Sequence, residues 1–494
     1  MTPDPTPFPL DRLSLRGIPD APALVADGRT LTYADLDDEV ATTAAALLAH
    51  GLSAGDRVAS WMGKTALACI LPLAAARAGL VHVPINPVLR RAQAEHILAD
   101  SGARLLIANR ARLDTIATDA KTIALDDWQP GSDRLGPSTH DPDELVALLY
   151  TSGSTGRPKG VMLSHANLWL GAISVAHYLK LNPADRTLCL LPLAFDYGQN
   201  QLLAAWASGG TAIAFDYLLP RDVVRAVGRH DVTLLAGVPS LWHQLADQAW
   251  DGEGASLTTL TNSGGHLPEP LVRRLRGLFP EARLHLMYGL TEAFRSASLD
   301  PGQVDAHPDS VGSAIPFAEL RIVRPDGTNA APGEEGELVH SGPLVAQGYW
   351  NDPARTAERF RNEDVWSGDT MVFGDDGLLR FRGRDDAMIK TNGNRVSPTE
   401  IEEAALASGA MVEAAVFGLA DDKLGQAIVL VGVARGDDHE ERLRAHFAAE
   451  LPAFMRPVRI VLIPQMPLGP NGKLDRAALR MLLEDDGLDG EKPR

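Results

Sequence analysis

Apolar residues recur at three- and four-residue spacing through LTYADLDDEVATTAAALLAHGL (31–52), a stretch that opens on Thr32 or Asp35 as candidate cap and stops at Gly51. DRVASWM (56–62) then reads as a short strand, and ALACILPLAAARAGLVHVPI (66–85) as a buried helix running into a second strand. The helix RRAQAEHILADSG and the strand ARLLIAN follow. Strand and helix alternating in this way predict a parallel sheet with helices on both faces. The rhythm returns after residue 164 through RTLCLLPL, GTAIAFD, VTLLAGVP and ARLHLMYG, so two α/β layers are expected within the first 310 or so residues.

The texture changes near residue 311. AELRIVRPDGTNAAPGEEGELVHSG and GLLRFRGR are short alternating runs joined by D-G and P-G turns, which predicts a twisted antiparallel, barrel-like region. Beyond Asp385 and Asp386 a small α+β pattern resumes, with strands at AAVFGLA, QAIVLVGVA and VRIVLIP. The expected organisation is a large domain over 1–385, made of two α/β subdomains and a distorted β-barrel, and a small mobile α+β domain over 386–494. The terminal EDDGLDGEKPR is expected to be disordered.

Composition narrows the partners. The chain has 494 residues, 45% of them apolar and 22% charged, an ordinary soluble balance for about three structural units. Lys and Arg number 46 against 64 Asp and Glu, a net charge of −18. A chain this acidic is poorly suited to nucleic-acid backbone or an anionic membrane, so any anionic ligand has to be held by local cations, N–H groups and metal. Cys69 and Cys189 both sit in apolar runs and suggest neither a disulfide framework nor a thiolate metal site. The N-terminus MTPDPTPFPLDRL lacks the basic and apolar regions of a secretory signal, and Pro72, Arg77 and Pro84 interrupt the most apolar window. A cytoplasmic protein without membrane insertion is expected.

YTSGSTGRPKGVMLSH (150–165) is the first stretch that asks for chemistry. A Walker A loop needs G-x-x-x-x-G-K-[ST], whereas here Gly156 is followed by Arg157, Pro158, Lys159 and Gly160, which argues against a kinase or GTPase. What remains is a loop whose N–H groups and hydroxyls can wrap a polyphosphate, with Lys159 adding charge. Taken alone, TSGSTG leaves a generic turn as the lesser alternative.

The whole string resembles the phosphate loop of the adenylate-forming superfamily, which includes acyl-CoA synthetases, nonribosomal-peptide adenylation domains and luciferase-like enzymes. MYGLTEA (287–293), GELVHSGPLVAQGYW (336–350), WSGDT (366–370), GRDDAMIKTNGNRVSPTEIE (383–402), LPAFMRP (451–457) and NGKLDR (471–476) resemble the family's later motifs, in its order and across nearly the whole chain. The resemblance implies joining of a carboxylate to the α-phosphate of ATP, release of pyrophosphate, and transfer of the acyl group to a thiol. Such a reaction needs charge cancellation and in-line positioning more than proton transfer.

By resemblance, Thr151, Ser152, Gly153, Ser154, Thr155, Gly156 and Lys159 hold the β- and γ-phosphates. Gly264, Gly265 and His266 lie beside adenine, Tyr288 stacks on it ahead of Gly289, Thr291 contacts the α-phosphate and Glu292 carries Mg²⁺. Asp369 accepts the ribose hydroxyls, with Arg384 near them. Lys473 is expected to bridge the incoming carboxylate and the α-phosphate. Asp386 matches the hinge position, and Lys390 and Gly393 would reach the site in the thiol-accepting pose. Taken one at a time, Glu292 is equally a helix-start acid, Asp369 a turn residue, Tyr288 a core aromatic and Lys473 a solvated turn lysine. A non-catalytic ATP- or AMP-binding regulator on the same fold would be expected to lack Lys473 or Glu292.

The acid pocket is expected around Phe195, Asp196, Tyr197, Asn200, Ser263, Met287 and Arg295. Amino-acid-activating members have F-D where LPLAFDYGQNQL has Phe195 and Asp196, and a buried carboxylate favours a cationic partner. Arg295 opens the alternative, since it can neutralise Asp196 internally and leave a neutral or acidic substrate. FDYGQNQL together with MYGLTEAFRS (287–296) resembles both acyl-CoA ligases associated with exosortase A systems and stand-alone enzymes loading small amino acids such as proline onto carrier proteins. Gln347 departs from the arginine often found at its place. Because the chain ends soon after Lys473, the acceptor thiol is expected from CoA or a separate phosphopantetheinylated carrier protein.

Overall fold

The computed structural model describes residues 3–151, 158–265, 267, 269–384, 389–467 and 476–485. The chain divides into two compact units at Asp385 and Asp386. In the first, both candidate caps of the first long helix act together. The Thr32 hydroxyl accepts from the Asp35 N–H at 3.1 Å, and the Asp35 carboxylate accepts from the Thr32 N–H at 3.0 Å, a reciprocal capping box at the start of Tyr33–Ala49. The helix is followed by Gly51 at φ +89°, in the left-handed region that glycine enters without steric cost.

Among the described residues, the first unit contains two largely parallel sheets. One is seven-stranded, with Arg57–Trp61, Val81–Pro84, Leu105–Ala108, Lys121–Ala124 and Leu145–Thr151 running parallel. Toward one edge Leu145–Thr151 pairs antiparallel with Lys159–Ser164, and Gly348–Tyr349 forms the edge itself. The second sheet is nine-stranded. Its parallel centre runs from Arg283–Tyr288 through Thr259–Asn262, Leu234–Gly237, Arg186–Cys189 and Thr211–Ala214 to Pro22–Ala26. Alternation predicts these parallel centres and is silent about the antiparallel edges, which come from short hairpins such as Pro22–Ala26 with Arg29–Thr32 and from distant strands such as Gly348–Tyr349 on Lys159–Ser164.

One continuous apolar core draws on both sheets and on the helices Ala66–Arg77, His165–Tyr178 and Asp196–Ala207. The first of these ends on Arg77, fully buried, whose guanidinium donates to Asp11 at 3.1 Å and to Asp37 at 2.5 Å. Asp11 also accepts from the Ser138 N–H and hydroxyl. A buried cation is tolerated because its donors are met by fixed carboxylates.

The antiparallel region after residue 311 has five strands, in the order Glu319–Val323, Glu335–Ser341, Asp364–Phe373 and Phe360–Arg361, with Leu379–Arg384 also paired to Asp364–Phe373. Two shifts of register interrupt its ladders and increase the local twist. The second unit is a five-stranded sheet with apolar clusters that share its long hairpin Met411–Asp421 and Gly425–Ala434. Its last helix, Arg476–Asp485, runs two residues into the tract expected to be disordered, because Leu479 and Leu483 are buried against Phe417, Val429 and Val431. Residues 486–494 lie outside the described residues. Among the described residues no helix is long and apolar enough to cross a membrane.

Four histidines in the first unit are buried with their pKa lowered by desolvation from 6.5, His82 to about 3 and His165, His285 and His340 to about 4. A depressed folded-state pKa means the unfolded chain takes up protons first as pH falls. The melting temperature is therefore expected to drop between pH 6.5 and 4, and His340→Gln to flatten part of that slope in a pH series of thermal unfolding.

Candidate active site

The helix Asp196–Ala207 is buried along its whole length although it begins DYGQNQ. A helix buried all round is normally apolar all round, so these polar residues need a local reason. Gly198 supplies part of the geometry. A Cβ there would overlap the Pro192 carbonyl oxygen, so only glycine lets the first turn lie this close to the preceding backbone. That contact fixes Asp196 at the helix N-terminus, where the aligned peptide dipoles favour a negative charge.

Asp196 accepts a hydrogen bond from the Thr291 hydroxyl at 3.2 Å, and the Arg295 guanidinium lies 3.9 Å from its other oxygen. Burial pushes its carboxyl above the ordinary carboxylate range, and the opposing pull of Arg295 and Thr291 only partly offsets this. Arg295 is committed elsewhere as well. It donates to the Ser263 hydroxyl at 2.8 Å and lies over the Tyr197 ring, 4.7 Å from its centroid. Tyr197 in turn shares a 2.6 Å hydrogen bond with Thr261 and meets Phe195 edge to face. Asn200, Met287, Tyr197 and Arg295 line one pocket.

The segment after the strand Arg283–Tyr288 brings the other groups in. Gly289 lies against the backbone of its own return, since a Cβ would stand 2.9 Å from both Arg295 Cα and the Phe294 carbonyl oxygen. Phe294 holds φ +60°, costly for a bulky residue, with its ring seated against Gly171. Between them the short turn Thr291–Ala293 presents Glu292, buried, whose Oε1 accepts from the Tyr349 hydroxyl at 2.7 Å. The Lys159 ammonium lies 3.7 Å from that same oxygen and 3.9 Å from the centroid of the Tyr349 ring. Lys159 faces Thr151 across the hairpin, and the buried Thr151 hydroxyl finds no hydrogen-bond partner among the described residues.

Tyr288 donates its hydroxyl to Asp369, whose N–H donates to Ser367 and whose ladder partner is Arg384. Gly264 takes φ +79° after the strand Thr259–Asn262, and Asn262 donates to the Gly265 carbonyl at 3.1 Å. A continuous polar line thus runs from Thr151 and Lys159 through Glu292 and Thr291 to Asp196, Arg295 and Ser263. Lys390 and Gly393 belong to the second unit, where Lys390 donates its N–H to Gln426 and Asn392 and Gly393 form a two-residue left-handed turn. Residues 152–156, His266, Asp386 and Lys473 lie outside the described residues.

Two sets of groups escape the sequence reading. Tyr349, in GELVHSGPLVAQGYW, touches both Glu292 and Lys159, yet a tyrosine between Gly348 and Trp350 reads simply as core. Thr187, Gln201 and Thr261 line the same pocket as Tyr197, Asn200, Met287 and Arg295, and only Gln201, four residues after Tyr197 on the same helix, carried a usable signal. Gln347 donates to the Asp143 carbonyl at 2.6 Å, a local tie away from these groups.

Residues 13–350 match the family described as AMP-binding enzyme, and residues 400–473 match its C-terminal domain. The chain belongs to the AMP-binding enzyme family. This is the adenylate-forming superfamily of AMP-forming ligases. The L-proline–[L-prolyl-carrier protein] ligase of Pseudomonas fluorescens is 32% identical, over 95% of this chain and 98% of that protein. The feruloyl-CoA synthase of an Amycolatopsis species is 33% identical, over 94% and 96%. Among solved structures, o-succinylbenzoate CoA synthetase from Bacillus subtilis superposes with a TM-score of 0.86 at 25% identity, over 99% of both chains. The amide bond synthetase McbA from Marinactinospora thermotolerans gives 0.87 at 25% identity, over 96% of this chain and 99% of that one.

In this AMP-binding enzyme, Gly198→Ala is expected to lower stability by about 1–3 kcal/mol and to displace Asp196. Denaturant unfolding alongside affinity for the acid substrate checks both effects.

Proposed function

We propose that this AMP-binding enzyme is an acid–thiol ligase that activates an amino acid with ATP and passes the aminoacyl group to a phosphopantetheine thiol, on CoA or on a separate carrier protein. The observation that carries the amino-acid reading is Asp196. Its carboxylate is buried, its hydrogen bond from the Thr291 hydroxyl is 3.2 Å long, and its nearest guanidinium stands 3.9 Å away and is already bonded to Ser263. An ammonium on the substrate's α-carbon would complete that site.

In the first half-reaction a carboxylate oxygen of the acid bonds to the α-phosphorus of ATP as the bond to pyrophosphate breaks. In the second, the thiol sulfur bonds to the acyl carbon and AMP leaves. Lys159 and the hydroxyl of Thr151 would meet the outer phosphates together with residues 152–156, and Thr291 the α-phosphate. The donor set fits a hard cation, since Glu292 is a buried carboxylate beside hydroxyls and the phosphate side of the site. Glu292 would hold Mg²⁺, which supplies positive charge to the phosphates when bound. Tyr288 and Gly264 to His266 would flank adenine, and Asp369 with Arg384 the ribose. Lys473 would bridge the two anions as they meet, and Asp386 would let the second unit bring Lys390 and Gly393 forward for the thiol step. Both thiols of the chain, Cys69 and Cys189, are buried and unpaired, which suits a reducing cytoplasm.

One observation favours a second reading. Arg295 and Asp196 are both buried and close enough to neutralise each other, which would suit an acid without an ammonium. The two relatives above, one named for proline and one for a feruloyl group, span the same choice.

ATP–pyrophosphate exchange over matched amino acids and their deaminated counterparts separates the two. The expected result is exchange with amino acids, lost by about 100-fold or more in kcat/KM in Asp196→Asn. Because the carboxyl of Asp196 is raised, the parent KM should climb on acidification before an ordinary carboxylate would protonate, and the variant should lack that climb. Equal exchange with the deaminated acids would decide for the internal pair. Lys473→Ala is expected to lower exchange by about 100- to 1000-fold while thioester formation from supplied adenylate persists. Near-parental exchange would remove Lys473 from the mechanism.

A further inference from the structure

Beyond Asp196 and Tyr197 the buried helix continues into the acid pocket. Asn200 and Gln201 lie one turn, roughly 6 Å, farther along its axis. The rest of the wall is mostly apolar, with Val175, Leu234 and Met287 among its side chains. Set into it are five polar residues that are all but sealed from solvent: Gln201 at 5% exposure, Asn200 at 3%, Thr187 and Arg295 at 2%, and Thr261 at 1%. Among the described residues neither amide atom of Gln201 has a hydrogen-bond partner, and the same holds for Asn200 Oδ1, Thr187 Oγ1 and Arg295 Nε. The neighbouring hydroxyls are already used, Tyr197 with Thr261 and Tyr178 with the Met287 sulfur at 3.0 Å.

Buried polar atoms are almost always paired, because leaving one unmet costs about as much as a lost hydrogen bond. Several orphaned atoms around one cavity therefore point to something that enters it. We infer that the substrate's side chain ends in a neutral group that both donates and accepts hydrogen bonds, an amide or a hydroxyl, and that Gln201, Asn200 and Thr187 select it. This deepens the ligase reading and rests on it for the location of the acid. Two alternatives fit less well. A hydrocarbon chain would leave these atoms unpaired in a drier pocket. An anionic terminus would face the unpaired carbonyl oxygens of Asn200 and Gln201, and of the Arg295 guanidinium only Nε is unpaired among the described residues, its terminal nitrogens lying toward Asp196 and Ser263. Gln201 offers a donor and an acceptor on one planar group, which suits a partner amide in the manner of paired amides.

The test varies the terminus and the α-ammonium independently. Glutamine, norvaline and glutamate form one series. Glutaramic, pentanoic and glutaric acids form the deaminated series. Exchange kcat/KM and calorimetric binding without ATP are measured for both. The amide member is expected to lead its series by about 10- to 100-fold over the alkyl member. Gln201→Leu should erase or invert that lead, and Thr187→Val, which keeps the side-chain shape, should reduce it several-fold. A lead for the alkyl or the carboxylate member in both series overturns the inference, as does an amide lead untouched by either variant. The ammonium contrast between the series judges the amino-acid reading separately. If no acid supports exchange, the ligase reading fails, and the binding measurement alone then decides: amide-selective binding sustains the pocket assignment and absence of any binding ends it.

Discussion

A carboxylate held at the start of a helix that has no solvent-facing side is the constraint around which this site is built. Removing Asp196 from water is unfavourable, and the fold answers with several small compensations rather than one strong ion pair. The helix N-terminus, the Thr291 hydroxyl and the distant Arg295 each contribute a part. Together they leave the carboxyl raised, so a further positive charge remains favourable there. The close approach at Gly198 keeps the acid from relieving its own burial by moving outward.

The groups proposed for the nucleotide and those proposed for the acid are contiguous in space and partly contiguous in sequence. Thr291 touches Asp196, and its neighbour Glu292 touches Tyr349 and lies near Lys159. On the proposed assignment, one turn of four or five residues carries the boundary at which two anions would meet. Little displacement of that turn is compatible with both sets of contacts. Electrostatic stabilisation by groups fixed in advance costs no reorganisation when the charge shifts, and a turn tied at both ends meets that condition.

Much of this was legible in the chain. The parallel centres of both large sheets follow from strand–helix alternation, the Thr32 and Asp35 cap from its spacing, and the family from motifs in order. Other features were hidden for physical reasons. The antiparallel edges depend on hairpins whose strands look like any other apolar run and on distant pairings such as Gly348–Tyr349 with Lys159–Ser164. The final helix continues through Glu484 and Asp485 because Leu479 and Leu483 find a tertiary partner, which composition alone does not show. Tyr349 earns its place only through contacts with residues some 57 and 190 positions away, and no local pattern encodes a distance of that kind. The polar face of Asp196–Ala207 was visible as letters, but its meaning depends on the helix being buried on every side.

The Phe294 ring against Gly171 has a consequence for how variation in this chain is to be read. A residue in the middle of the helix His165–Tyr178, with no chemistry of its own, is what allows a strained neighbour of Glu292 to keep its backbone. In a saturation library, position 171 would score with the reactive residues although it touches no substrate. Its tolerance to larger side chains would return only when position 294 shrinks as well, an epistatic pair linking the interior scaffold to the chemistry.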